Sequence, residues 1–178
     1  MSERGLVFWF TGLSGAGKST VAQLSKTRLC ECGISTLVLD GDDLRAAISR
    51  DLGFDRESVR ENNRRVATYC AERRWDANAV LVPIISPFES DRAMVREILE
   101  PGFFEIWLAA DIKAVVTRDP KGLYAKARSG EITNMIGYAP DYPYEAPKRA
   151  DLVIQSDQEE PEVSAGKLTA FILERCKT

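Results

Sequence analysis

The 178-residue chain contains no histidine. That absence removes Ser-His-Asp hydrolases, imidazole-ligated zinc and histidine acid–base catalysis together, and leaves carboxylates as the first choice for a general base. Cysteine is sparse: Cys30, Cys32, Cys70 and Cys176 show neither a zinc-ligand spacing nor a disulfide ladder, and they read as reduced thiols of a cytoplasmic protein. No apolar run approaches the roughly 18 residues that a membrane span needs. The start, "MSERGLVFWFTG", lacks a hydrophobic signal segment with a small-residue cleavage site. Excess positive charge is missing too. A formal net charge of −3 argues against a nucleic-acid coat or a polybasic anchor, so neither nucleic acid nor membrane is expected as a partner. No repeat, low-complexity tract or linker interrupts the chain, and its length fits one domain, 1–178.

What is present is the 44% hydrophobic and 29% charged composition of a soluble globular protein. The runs "LVFWFT" (6–11), "STLVLD" (35–40), "AVLVPII" (79–85), "FFEIWLA" (103–109) and "DLVIQ" (151–155) read as buried strands. Helical patterns lie between them at about 18–30, 58–74 and 89–99. "PEVSAGKLTAFILERC" reads as a closing helix with Val163, Leu168, Phe171 and Ile172 inward. Strands alternating with helices predict an α/β fold, a parallel sheet with helices on both faces. Ligands of such sheets bind beyond the carboxyl ends of the strands, here just after Phe10, Leu39, Ile85 and Leu108.

After the first strand, "GLSGAGKST" matches G-x-x-x-x-G-K-[ST] between strand and helix, as that motif requires. Gly12, Leu13, Ser14, Gly15, Ala16 and Gly17 would turn backbone N–H groups around phosphate oxygens. Lys18 would reach the β- and γ-phosphates, and Ser19, followed by Thr20, would complete a Mg²⁺ shell. The chemistry is that of an ATP or GTP phosphate site. "LDGDDLR" after the second strand sets three aspartates and an arginine beside it: Asp42 as base and metal-organiser, Arg45 towards an acceptor anion, Asp40 or Asp43 as helix cap. In "ISPFESDR" Ser86 would emerge at the top of the sheet. The same residues also make an adequate helix start, and both readings stay open. "TRDPKGLYAKARSGEI" carries Arg118, Lys121, Lys126 and Arg128 and suits a lid, about 117–147, that closes over a nucleotide, with a surface helix as the alternative. In "LGFDRESVRENNRR", Arg56, Arg60 and Arg64 recur every four residues with Glu57 and Glu61 able to pair with part of the stripe. Its place between two strand ends makes Phe54, Arg60 and Asn62 the acceptor-facing members. Together these parts suit phosphoryl transfer, which relies on positioning and charge neutralisation.

"FTGLSGAGKST", "LDGDDLR", "LGF…EN.RR", "ISPF..DR" and "RDPKGLYAKARSGEI" resemble, in order and spacing, the adenylylsulfate (APS) kinase family from about Gly5 to Pro147. The resemblance implies a P-loop NTPase three-layer sandwich, usually dimeric, that uses ATP and Mg²⁺ to convert APS to 3′-phospho-APS. It implies Asp42, Lys18 and Ser86 as catalytic residues, Ser19 and Asp42 as metal ligands, and Arg118 on the ATP side. Asp40, Asp42, Arg45, Phe54, Arg60, Asn62, Ile85, Ser86, Lys121 and Met135 would form the acceptor site, with Ser86 as substrate contact before phosphoserine. Functional coupling to an ATP sulfurylase is also implied, and the start at Met1 with a whole closing helix suits a free-standing chain. The chain departs from the family at Ser58-Val59, where Asp-Arg is usual, and at Asn134-Met135-Ile136-Gly137, where the lid usually has Gly-Phe-Thr-Gly. Its "YAPDYPYEAP" is about two residues longer than usual. Arg60 is expected to swing in for the missing arginine, and Met135 with Tyr138 to cover the base. Two other readings are a P-loop kinase for another nucleotide-like or small alcohol acceptor, and a catalytically weak nucleotide-binding module.

Overall fold

A computed structural model describes residues 5–176. Five strands, β1 (Leu6–Thr11), β2 (Thr36–Val38), β3 (Ala79–Val82), β4 (Phe103–Ala109) and β5 (Leu152–Gln155), pair in parallel in the order β2-β3-β1-β4-β5. Helices α1 (Lys18–Glu31), α2 (Gly41–Ile48), α3 (Arg56–Arg73), α4 (Glu89–Leu99), α5 (Ile112–Arg118), α6 (Leu123–Arg128) and α7 (Pro161–Cys176) connect or close them. The α/β fold with a parallel sheet is as expected.

β1 lies at the centre, and its side chains alternate between two apolar layers, as strand geometry dictates. Phe8 and Phe10 pack with Leu81, Ile106 and Ile154 under α1 and α7. Val7 and Trp9 pack with Val80, Val82 and Phe103 under α3 and α4. Burial on both faces is why the strands read as unbroken apolar runs rather than alternating ones. Phe8 also stacks on Phe104 across the β1–β4 pair, ring centroids 5.3 Å apart.

Three local differences from the sequence reading matter. β2 stops at Val38, so Asp40 is free to cap α2, its Oδ1 accepting from the Asp42 N–H. β3 stops at Val82 because Pro83 has no N–H for the ladder, and Ile84 to Phe88 become loop. Val163 is half exposed, since α7 turns Ala165, Leu168 and Ile172 to the core instead.

Candidate active site

The centre of the site is the turn between β1 and α1. Gly12 has φ +153°, and a Cβ there would lie 2.6 Å from the Leu108 carbonyl oxygen on the neighbouring strand. Gly17, at φ +91°, is the N-cap of α1 and offers no side chain to the first-turn N–H groups. Those donors and the positive end of the helix are therefore left for an anion. Lys18 is buried and folds back over the loop, donating from Nζ to Gly12 O and Leu13 O at 2.8 Å each. Burial first, and the nearby Lys121 second, lower its pKa to about 7 against the pull of Asp40 and Asp42. A phosphate would remove that penalty by supplying the missing negative charge. Ser19 Oγ donates to Asp40 Oδ2 at 2.6 Å, and Asp42 forms an ion pair with Lys121, which comes from the turn between α5 and α6.

A single cleft of about 950 Å³ runs through this centre. The strand order decides its shape. With β1 in the middle, the ends of β4 and β5 form one flank and those of β3 and β2 the other. On the first flank Arg118 and the segment Ser156–Pro161 face the cleft, Arg118 donating to Ser156 O at 3.0 Å. On the second flank stand Arg45, Phe54, Val59, Ile85, Pro87 and Ile136. Arg45 places its guanidinium 4.1 Å from the Phe54 ring centroid and donates to Leu52 O and Gly53 O, which props the aromatic ring at the mouth. The phosphate-type loop and a largely apolar wall thus share one cavity, with Asp42 and Lys121 between them.

The model of the family described as adenylylsulphate kinase matches residues 4–155. This chain belongs to the adenylylsulphate kinase family. The adenylyl-sulfate kinase of Paraburkholderia xenovorans is 44% identical over 97% of this chain and 95% of that one. The solved structure of the Mycobacterium tuberculosis APS kinase CysC, in complex with AMPPNP and APS, has a TM-score of 0.89 to this fold. That pair shares 42% identity, over 96% of this chain and 98% of the other. The M. tuberculosis bifunctional enzyme CysN/CysC is 47% identical over 87% of this chain, which spans 25% of that longer protein.

Within this family member the expected nucleotide-side residues Ser14 to Thr20 and Arg118 line the cleft, as do Asp40, Asp42, Arg45, Phe54, Ile85 and Lys121, whereas Gly12 lies behind the loop and Leu13 packs in the core. Other expectations need correction. Ser86 does not emerge into the cleft: it is buried, at φ +42°, with Oγ donating to Asn63 Oδ1 at 2.8 Å. A buried hydroxyl needs such a partner, and α3 supplies it. Arg60 does not swing in. α3 buries Val59, Asn63 and Val66, and one residue further on a helix is a rotation of about 100°, so Arg60 is exposed on the outer side. Its neighbours in the stripe are occupied: Arg56 makes a bidentate pair with buried Asp91 at 2.8 Å, and Arg64 one with Glu61 at 2.7 Å. Asn62 is half-buried and is not among the residues that line the cleft, and its buried Oδ1 has no hydrogen-bond partner. Met135 is buried in the core with Leu13 and Tyr124, and Ile136 takes the cleft position. The tight turn in which Tyr138 and Ala139 both donate to Met135 O fans successive side chains apart. The Ser19 hydroxyl is bonded to Asp40, while Asp42 pairs with Lys121. Of the lid cations, Arg118 and Lys121 face the cleft, whereas Lys126 pairs with Glu131 and Arg128 is exposed.

Val59 and Ile136 were legible only as departures from the family pattern, since neither carries a chemical signature of its own, and one part of the site went unread. "SDQEEP" after β5 was within reach, because the strand-end rule applies to Gln155 as it does to the other four ends.

Proposed function

We infer that this chain transfers the γ-phosphoryl group of ATP to the 3′-hydroxyl of adenylyl sulfate, releasing ADP and 3′-phosphoadenylyl sulfate. The observation that carries this reading is the single cleft that joins an intact phosphate loop to the Phe54 wall through Asp42 and Lys121. The family membership and the likeness to an APS kinase that holds AMPPNP and APS support it.

The reaction forms a bond between the acceptor oxygen and phosphorus and breaks the bond from phosphorus to the β,γ-bridging oxygen. The acceptor proton passes to the Asp42 carboxylate, and the bridging electrons stay with ADP. Before that, Lys121 must release Asp42 and turn its ammonium to an anionic oxygen of the substrates. Lys18 and the first turn of α1 hold the phosphates against the in-line acceptor. Such transfer needs little covalent help beyond alignment and charge neutralisation. The Ser19 hydroxyl and the Asp40 carboxylate, 2.6 Å apart, are hard oxygen donors that fit Mg²⁺. Among the described residues no group of three or more His, Cys, Asp or Glu side chains is placed to hold a metal, so a Mg²⁺ held by Ser19 and Asp40 would draw on substrate and water oxygens as well. Bound there, Mg²⁺ supplies charge neutralisation at the β- and γ-phosphates.

Residues 117–147 act as the lid, and residues 1–178 as one kinase domain. No helix among the described residues is long and apolar enough to cross a membrane. Exposed thiols at Cys30 and Cys32 suit the reducing cytoplasm. An APS kinase of Thiobacillus denitrificans is hexameric, and the bifunctional relatives join a further activity to the same module, which supports self-association and coupling to an ATP sulfurylase here.

A second reading rests on the acceptor wall, where apolar Val59 stands in place of the family's arginine and Ile136 in place of a polar lid residue. In that reading the acceptor is another nucleotide-like alcohol. One assay decides: ATP and Mg²⁺ with APS or a panel of nucleotides, following ADP release. Saturable turnover at micromolar APS is expected. Turnover with another acceptor alone overturns APS in favour of the second reading, and nucleotide binding without turnover makes the chain a binding module.

A further inference from the structure

Behind the acceptor wall, three separate parts of the chain meet on one guanidinium. Arg92, in the first turn of α4, is 3% exposed. Its Nη1 donates to Ser86 O at 2.9 Å, its Nη2 to Glu145 O at 2.8 Å, and its Nε faces Glu105 Oε1 of β4 at 2.7 Å. Each nitrogen thus serves a different segment: the loop after β3, the strap that returns from the lid, and the sheet.

The same two segments are stitched together around that point. Glu145 donates its N–H to Pro87 O at 2.8 Å, and its carboxylate accepts from the Glu89 N–H at 2.7 Å. The Tyr144 hydroxyl shares a hydrogen bond of 2.9 Å with Thr11 Oγ1, which itself lies 2.7 Å from Ile85 O. Residues 85–87 are therefore held from behind by Arg92, Glu145 and Thr11, and from the phosphate loop by the Gly12 N–H, which donates to Ile85 O at 3.2 Å, while Ile85 and Pro87 line the cleft. Ser86 is held at φ +42°, a conformation that serine seldom adopts unless its surroundings enforce it.

A buried ion pair is a poor device for stability, because an apolar filler of the same volume often does as well or better. A fork of fixed donors is, however, the best device for holding carbonyls at set positions. We propose that Arg92 is a positioning residue for the acceptor: it fixes the wall formed by Ile85 and Pro87 and ties the lid's return strap to that wall, so that lid and wall move as one body. Arg92 itself touches neither the phosphate loop nor the nucleotide flank, and the wall it holds meets that loop only through the Gly12 N–H and the Thr11 hydroxyl, so its effect falls mainly on the acceptor. The kinetic consequence rests on the activity proposed above.

The test is Arg92→Lys, which keeps a cation beside Glu105 but cannot reach two carbonyls as a fork. The expected result is a KM for APS raised at least about tenfold, with the Kd for ATP and the kcat at saturating APS within about threefold of the parent. Tyr144→Phe, which removes one stitch and no charge, should show the same split at about threefold, and it serves if the lysine variant folds poorly. Equal rises in both constants, or a lowered Tm with both unchanged, would overturn the proposal. Hydrogen–deuterium exchange of the variant without substrates separates this from any error about APS. Residues 83–88 and 142–147 should both exchange about tenfold faster while 13–20 do not change, and loosening of only one of the two segments sinks the idea.

Discussion

Most of the phosphate cradle comes from the consecutive residues Gly12–Thr20, and much of what they do is done by backbone N–H groups and a helix end. The acceptor flank instead draws Arg45, Phe54, Val59, Ile85 and Ile136 from separate segments, and uses their side chains. A backbone device tolerates change only where the peptide path survives, as the crowding of Gly12 against Leu108 O makes plain. A side-chain device can be retuned one residue at a time. Two of the departures from the family pattern, Val59 and Ile136, fall on the second kind of surface, while the phosphate-loop motif stands unaltered.

That contrast can be broken at the junction between the flanks. Asp42→Asn should leave ATP affinity within about twofold and lower kcat about 10³-fold, the scale of a lost general base. Pre-steady-state transfer measured beside ATP titration checks it, and a variant that kept most of its kcat would take Asp42 out of the role of base. A smaller effect is expected from Val59→Arg, at an inward, 7%-exposed position on α3 that lines the acceptor flank. If it restores a charge-assisted hydrogen bond, KM for APS should drop about tenfold. An unchanged or raised KM would mean that the wall has been rebuilt for a different acceptor.

Neighbouring lid residues sharpen the comparison further. Ile136→Ala should raise KM for APS about threefold with little change in Tm, whereas Met135→Ala should leave KM alone and cost about 2–5 kcal/mol of stability as a core cavity. The reverse pattern in paired kinetics and thermal melts would restore Met135 to the acceptor site. The smallest effect belongs to the arginine stripe. Hydrogen bonds from Arg64 and then Arg65 hold the Glu61 carboxyl down to about 2, below its usual value. This depressed carboxylate contributes stability that is complete above about pH 4.5 and lost as pH falls through about 2. At a surface site that contribution is under about 1 kcal/mol after screening. Glu61→Gln should flatten the acid limb of a Tm–pH curve between those values and leave KM at pH 7 unchanged.

The strand cores, α1, α4 and α7 were legible because two-sided burial writes continuous apolar runs and helical periodicity writes spaced ones. Proline's missing N–H ended β3 early, a boundary the apolar run "AVLVPII" concealed. Among site residues, those within a motif were legible and those defined by direction were not. Asn62 and Asn63 are chemically identical neighbours, yet it is Asn63 that receives the Ser86 hydroxyl. Arg60 is charged and Val59 is not, yet only Val59 lines the cleft.

By itself the sequence determined a phosphate-binding α/β fold, because a cradle made from consecutive backbone groups is encoded where it stands. Tertiary structure decided which side chains line the cleft on the flank of β3 and β2. One residue of rotation on α3, one turn in the lid and one buried guanidinium set those directions, and each is imposed by packing against segments far away in the chain.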